Sequence, residues 1–168
     1  LTGLVAIPFF AGLALLVGPM VLLILGPEWR AAAPVLQVMA LMGVYICLNR
    51  VQMAFCLAAG RAAAISTLAW VVVGLAAVLI WFASAQGIVA VAAGLVAAHY
   101  LLWPVYFVIV ARIAARPVLG FVRCHFLPGL GALVMALPVW WVARAMGDAR
   151  PVFILSLAVP VGILTYLA

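Results

Sequence analysis

Long apolar runs, separated by short breaks of polar residues, proline or glycine, make up most of this chain. A membrane-spanning helix needs about 20 apolar residues, and the breaks divide the chain into about six runs of that length. The runs are continuous rather than alternating, which excludes the spans of a β-barrel. We therefore predict an all-α, polytopic membrane helix bundle that forms a single transmembrane domain. Its predicted spans are 4–25, 34–59, 62–83, 88–111, 128–146 and 151–168.

The composition agrees with a membrane location. Hydrophobic residues make up 73% of the 168 residues and charged residues only 6%, whereas a soluble domain has about 25% charged residues. The 8 basic residues are all arginine and are dispersed between apolar runs. A nucleic-acid-binding surface would instead concentrate them on one soluble face. Both ends of the sequence lie inside apolar runs, so we expect a part of a larger membrane protein.

The arginines also predict the orientation. With alternating spans, one side of the membrane carries more arginines and no acid, and the other carries both acidic residues. Because loops richer in basic residues stay in the cytoplasm, we place the first side there. The first side carries Arg61, Arg112, Arg116 and Arg123, and the second carries Glu28, Arg30, Gln86, Arg144, Asp148 and Arg150.

Arg50 is the most informative residue, because it lies within the second predicted span. It lies about 16 Å along a helix from Arg61, too deep for easy contact with the headgroups. A guanidinium at the bilayer centre costs about 2.5–3.5 kcal/mol on insertion scales, so it is expected to face a protein interior or a wet cavity. A cationic position in such a cavity would suit an anionic ligand.

A helical wheel divides the polar residues around Arg50 between two faces. We expect Arg50 and Arg61 to face a cavity as a basic rail, while Asn49 and Gln52 bond a neighbouring helix. The reverse assignment remains open, as does an Arg50 that is bonded only to carbonyls within the bundle. One arc of the wheel carries Gln37, Tyr45, Asn49 and Gln52, and the other carries Gly43, Arg50, Ala54 and Arg61.

His99 is a second titratable group within a predicted span, with Trp103 and Tyr106 on its helical face. It could relay protons or bond a substrate hydroxyl, or it could be a neutral side chain bonded to a neighbouring helix. On the same span, Ala90, Gly94 and Ala98 form a small-xxx-small ridge that predicts close helix packing.

Prolines interrupt several predicted spans. Each removes a backbone hydrogen bond, which membrane helices tolerate where neighbours or water satisfy the freed groups. This density favours a moving transporter, although a static bundle that tolerates kinks is the alternative. The prolines concerned are Pro8, Pro19, Pro104, Pro138 and Pro160.

We expect no enzyme, no cofactor and no metal site. Glu28 and Asp148 are far apart in the sequence and do not form an acid/base pair. The sequence has no nucleotide-binding loop or nucleophile elbow. The cysteines at 47, 56 and 124 have no pairing or metal-binding spacing.

The segment from Leu25 to Ala40 resembles a signature of Wzx-type polysaccharide flippases of the MATE/MOP superfamily. In these proteins a span ends in Gly-x-x-Trp, and Ala-x-Pro-x-Leu-Gln leads into the next span. They also often carry Ala-x-Gly-Arg at the cytoplasmic end of that span, which matches residues 58–61. The run of alanines at 62–64 departs from the polar residues expected there. The matching positions are Gly26, Trp29, Ala32, Pro34, Leu36, Gln37, Ala40, Gly60 and Arg61.

The resemblance implies that the chain is the C-terminal lobe of a two-lobed transporter in the bacterial inner membrane. The missing N-terminal lobe and membrane lipid would be its partners, with no nucleic acid. The implied function is translocation of an undecaprenyl-diphosphate-linked oligosaccharide, since arginines suit the diphosphate and amide and aromatic side chains suit the sugar. The expected substrate-binding residues are Tyr45, Asn49, Arg50, Gln52, Arg61 and His99.

Two alternatives remain open. A cation-coupled multidrug exporter of the same superfamily would require an acidic residue within the membrane. The membrane anchor of a polyprenyl-linked glycosyltransferase would require a large soluble domain elsewhere in the protein.

Overall fold

The computed structural model describes residues 2–115, 117–146 and 151–167. Within these ranges the chain is helical and contains no strand, which confirms the predicted all-α class. Short 3₁₀ segments at Pro27–Ala32 and Ser84–Gln86 precede the second and fourth helices. The helices are α1 Thr2–Ile24, α2 Ala33–Ala58, α3 Ala62–Ala83, α4 Ile88–Ala114, α5 Val118–Ala145 and α6 Pro151–Leu167.

The lengths of the helices fit a membrane. In the part of the chain that the structure describes, 5 helices are long and apolar enough to cross a bilayer. The last, α6, is apolar but has only 17 residues. Such lengths fit a hydrocarbon core about 30 Å thick, which a helix crosses in about 20 residues. The chain is therefore a multi-pass membrane protein.

The predicted bounds hold well for α3 but not for α5. Helix α5 begins at Val118 instead of Pro128, so Arg123 and His125 lie inside the helix rather than in a connection. The extended backbone of Pro117 starts the helix, and Pro128 is accommodated within it. A proline stops a helix less reliably in a membrane bundle, because neighbouring groups satisfy the backbone that it leaves unbonded.

Two glycines with positive φ lie at the ends of helices. Gly26 has a φ of 98° at the end of α1, and its amide bonds the Val21 carbonyl at 3.1 Å. Gly60 has a φ of 70° in the turn between α2 and α3. An L-residue with a side chain rarely adopts this backbone conformation. Arg116, Asp148 and Arg150, which contributed to the predicted orientation, lie outside the described residues.

The helices pack as two groups joined by α1 and α2. One core cluster joins α1, α5 and α6 around Leu16, Val139 and Ala158. A second joins α2, α3 and α4 around Cys56, Ile65 and Val110. Extensive packing of α1 against α2 connects the groups, whereas α4 and α5 touch only slightly.

The predicted small-residue ridge on α4 does pack closely. A methyl group added at Gly94 would lie 3.3 Å from the backbone of Leu79 in α3. Ala98, one turn further along α4, is completely buried. The absence of larger side chains at these positions therefore allows α3 and α4 to approach closely.

Candidate functional site

Helix α2 has two faces with opposite surroundings. Tyr45 and Gln52 point into the bundle and are only 4% and 6% exposed. Asn49 is half-buried beside them, whereas Arg50 is exposed. The predicted separation of Arg50 from the amide side chains is therefore present. Gln37, which the wheel placed with the buried set, is exposed in the first turns of α2.

Arg50 lies on an exposed, otherwise apolar surface of α2. We call Ile46, Arg50, Val51 and Ala54 the Arg50 face, and all four side chains are exposed. The guanidinium has no ion pair or hydrogen bond to any residue that the structure describes, so it is not bonded to carbonyls inside this bundle. By contrast, Arg144 lies 5.1 Å from the ring centre of Trp140.

The position of Arg50 along α2 remains deep. It is about 12 Å along the helix axis from Ala58, the last residue of α2, at 1.5 Å per residue. The middle of a hydrocarbon core about 30 Å thick is about 15 Å from either boundary. Arg50 is therefore well inside the helix rather than at its end.

Arg61 is exposed just beyond the C-terminal end of α2, so a helical wheel drawn for α2 does not describe its position. Helix α2 ends at Ala58, and Gly60 turns the chain so that Arg61 is the N-cap of α3. The Arg61 amide bonds the Cys56 carbonyl at 3.0 Å across this turn. The prediction that Arg50 and Arg61 share one helical arc was therefore wrong, because a single helix does not connect them.

The buried side of α2 packs against α4 through rings. The Tyr45 ring centre is 5.0 Å from that of His99 and 5.8 Å from that of Trp103. Tyr100 donates a hydrogen bond of 2.8 Å to the Leu41 carbonyl. These contacts form the aromatic cluster of Tyr45, His99, Tyr100, Trp103, Phe107 and His125.

His99 bonds its own helix rather than a neighbour. Its Nδ1 is 2.8 Å from the carbonyl of Leu95, one turn earlier in α4. Because a carbonyl only accepts, Nδ1 is the protonated nitrogen in this contact. The His99 ring packs against Tyr45, as expected for a side chain within the bundle. The neighbouring helix supplies no hydrogen bond to Nδ1.

Asn49 and Gln52 do not form the interhelical bonds that were expected of them. Asn49 Oδ1 and both polar side-chain atoms of Gln52 are enclosed without a hydrogen-bond partner among the described residues. Trp103 Nε1 is also enclosed without a hydrogen-bond partner among the described residues. The helices bring these groups to one interface without pairing them directly, so this part of the prediction was wrong.

Sequence reasoning missed Tyr100, Phe107 and His125 as members of the aromatic cluster. The first two flank His99 and Trp103 on α4, where the spacing of aromatic residues was the available signal. His125 was placed in a connection, because α5 was predicted to start at Pro128. Its ring lies 6.0 Å from Trp103 and 5.2 Å from Phe107, and a cavity of 330 Å³ lies beside these three rings.

The residues of the sequence signature lie at the α1–α2 connection and at the end of α2. Gly26 and Trp29 lie in or beside the 3₁₀ segment, where the Trp29 ring is exposed as an interface anchor would be. Pro34 lies in the first turn of α2, where its missing amide hydrogen costs nothing. These positions serve the helix ends rather than a common pocket.

A larger cavity lies between α1, α5 and α6, away from the Arg50 face. Its volume is 580 Å³, and apolar side chains such as Leu13, Met135 and Ile163 line most of it. Tyr166 closes one side by donating a 2.8 Å hydrogen bond to the Leu4 carbonyl.

Neither a metal site nor a disulfide is found in the described part of the chain. These residues contain no group of three His, Cys, Asp or Glu side chains that could hold a metal ion. Cys47 and Cys56 carry free thiols, and the side chain of Cys124 lies outside the description.

The chain matches no protein-family model, and no curated protein or solved structure matches it.

Proposed function

We propose that this chain is one lobe of a flippase that moves an undecaprenyl-diphosphate-linked oligosaccharide across the bacterial inner membrane. The observation that carries the proposal is the exposed Arg50 in the interior of a membrane-spanning helix. The resemblance of residues 25–61 to Wzx-type polysaccharide flippases gives the substrate class. Arg61, which is also exposed, is its proposed companion.

The energetic argument concerns what covers the Arg50 face. A guanidinium left in hydrocarbon costs about 2.5–3.5 kcal/mol or more. The bundle itself supplies no compensating ion pair from its described residues. A second helical lobe against this face, with water between the two lobes, would remove that cost. Intramembrane arginines tolerated in this way typically mark an ion or substrate pathway.

The chemistry of the substrate suits the site. A diphosphate requires cationic donors, and the planar guanidinium pairs with phosphate oxygens through two parallel hydrogen bonds. The amide side chains that the sequence assigned to the sugar, Asn49 and Gln52, lie on the side of α2 that faces α4, so the Arg50 face is proposed to contact the diphosphate alone. In this proposal the diphosphate passes along the Arg50 face as the oligosaccharide moves outward.

A drug exporter coupled to cations is less well supported. Such a protein would need a carboxylate inside the membrane. Glu28 lies in the 3₁₀ segment outside the long helices, and Asp148 lies outside the described residues. No other acidic residue exists in this chain.

The test replaces Arg50 in the full-length protein in its own host. Hydrogen bonds to charged groups contribute about 1.5–3 kcal/mol each, so Arg50→Ala should lower the rate of glycan export at least about tenfold. Arg50→Lys should give an intermediate rate, because lysine keeps the charge but not the paired donors. The measurement is the amount of surface glycan per unit time at matched protein levels.

The control is Arg112→Ala, which removes an exposed arginine from the last turn of α4. Export should remain close to that of the unaltered protein. Equal export by the Arg50→Ala and Arg112→Ala proteins would show that Arg50 does not contact the diphosphate.

A further inference from the structure

The interface between α2 and α4 contains more polar atoms than it pairs. Asn49 and Gln52 on α2 and Trp103 on α4 form what we call the α2–α4 polar site. Four of its atoms are enclosed and have no hydrogen-bond partner among the described residues. They are Asn49 Oδ1, Gln52 Oε1, Gln52 Nε2 and Trp103 Nε1. The Gln52 side chain as a whole is only 6% exposed.

The helix geometry places these atoms at successive turns of one interface. Helices α2 and α4 run parallel, since Leu41 meets Tyr100, Tyr45 meets Trp103, and Cys56 meets Val110 further along both helices. Asn49 follows Tyr45 by one turn and Gln52 by two, on the same side of α2. This side of α2 faces the turn of α4 that carries Trp103 and the turn after it.

The unpaired atoms are complementary in kind. Two are acceptor oxygens of amides, and two are nitrogen donors. No charged side chain belongs to the set, so an ion would lack a counter-charge there. Lipid chains and apolar side chains can neither donate nor accept. An occupant must therefore be small, neutral and able to donate and accept at once.

We propose that ordered water molecules occupy the α2–α4 polar site and hydrate the unpaired atoms of Asn49, Gln52 and Trp103. A buried water typically makes about 3 hydrogen bonds. Gln52 lies about 10 Å along α2 from Tyr45, the neighbour of Trp103, so more than one water serves the amide oxygens and the indole N–H. In a bilayer each polar group left unbonded costs several kcal/mol, and ordered water is one of the few remedies inside a helix bundle. The site is thus a hydrated position inside the membrane, on the opposite side of α2 from Arg50. This inference does not depend on the transported substrate.

The test is radiolytic labelling of the full-length protein in a lipid bilayer. Hydroxyl radicals formed from bound water oxidise the side chains next to that water, including buried ones. The Trp103 ring should be oxidised several-fold faster than the Met135 side chain, which is buried in the apolar cluster of α1, α5 and α6. Met135 is a strict control because its thioether reacts with hydroxyl radicals about as readily as an indole does. Oxidation of Trp103 that is no faster than that of Met135 would overturn the proposal.

A double variant tests whether Asn49 and Gln52 hold this water. In the double substitution Asn49→Leu and Gln52→Leu, the amide groups are replaced by side chains that cannot hold water. Trp103 oxidation should then fall several-fold, whereas the rate of Met135 should not change. A Trp103 rate unaltered by the double substitution in a folded protein would show that the labelling water lies elsewhere. If the double variant does not fold, Asn49→Leu alone is the second variant, and the same direction of change in Trp103 oxidation is expected.

Discussion

Arg50 and Gln52 are separated by one residue, and their surroundings are opposite. Arg50 is exposed on an apolar surface, whereas Gln52 is buried with unpaired polar atoms. Both side chains raise the free energy of the protein in a membrane, Arg50 as a charge and Gln52 as an unsatisfied amide. The two costs point to polar surroundings on both sides of the same half of α2. We propose that a partner lobe removes the cost of the charge and that bound water removes the cost of the unpaired amide.

Tyr100 supplies a direct test of the α2–α4 contact at the residue scale. Its hydroxyl donates a 2.8 Å hydrogen bond to the Leu41 carbonyl, which α2 also uses in its own ladder. Tyr100→Phe should lower the free energy of unfolding by about 0.5–1.5 kcal/mol, within the range of membrane hydrogen bonds. The measurement is unfolding of the purified protein in detergent by denaturant.

Thr67→Val is the matched control, because Thr67 bonds the Ala63 carbonyl within its own helix. It should change the free energy of unfolding less than Tyr100→Phe does. A Tyr100→Phe protein as stable as the unaltered one would mean that this hydrogen bond does not hold α2 to α4.

At the scale of elements, α1 packs tightly against α2. A methyl group at Gly43 would overlap the ring of Phe10, so α1 lies against bare backbone at this position. Gly43 shares the wheel arc of Arg50, yet it is partly buried, because Phe10 of α1 packs on α2 there and leaves the Arg50 face uncovered. The extent of the Arg50 face along α2 therefore depends on where the packing of α1 against α2 ends.

Gly43→Ala should destabilise the bundle. Overpacking a tight contact costs about 1–3 kcal/mol, because Phe10 must leave its position. Gly74→Ala on α3 is the control, since a methyl group there meets no atom within 4 Å. It should be neutral or slightly stabilising, because alanine favours a helix over glycine by about 1 kcal/mol. Thermal unfolding of both variants checks this, and equal melting temperatures would contradict the close α1–α2 packing.

The sequence predicted the bounds of the helices better than the contacts between them. Hydropathy placed α3 at its observed bounds, because Arg61 and Ser84 bracket an unbroken apolar run. It misplaced the start of α5, because Pro128 reads as a helix boundary in isolation but is accommodated inside the bundle. His125 was consequently missed as a neighbour of Trp103. A wheel also assumes an unbroken helix, which the turn at Gly60 prevents for Arg61.

Orientation within the bundle was predictable only in part. The separation of Arg50 from Tyr45 and Gln52 follows from the period of a helix. Which of the two faces is buried depends on the positions of α1 and α4, and no pattern within α2 encodes these. The unpaired state of Gln52 depends in the same way on side chains of α4.

At the scale of the whole molecule, the Arg50 face has no ionic partner among the residues that the structure describes. Long apolar side chains cover most of its exterior, as expected for a protein surrounded by lipid. The Arg50 face interrupts that exterior with a cation inside a spanning helix. Our account of the function depends on water reaching this face through a passage that a second lobe completes.

Thiol labelling of the full-length protein in intact membranes tests this claim most directly. Ile46→Cys, one turn from Arg50 on the same face, keeps the arginine in place, with the native cysteines replaced by alanine. Val71→Cys is the control, because Val71 is also exposed near the middle of its helix, α3. A charged thiol reagent attacks only a thiolate in contact with water. We predict rapid labelling at position 46, slowed by inorganic diphosphate, and none at position 71. If position 46 is as unreactive as position 71, the Arg50 face lies in lipid and the translocation proposal is wrong.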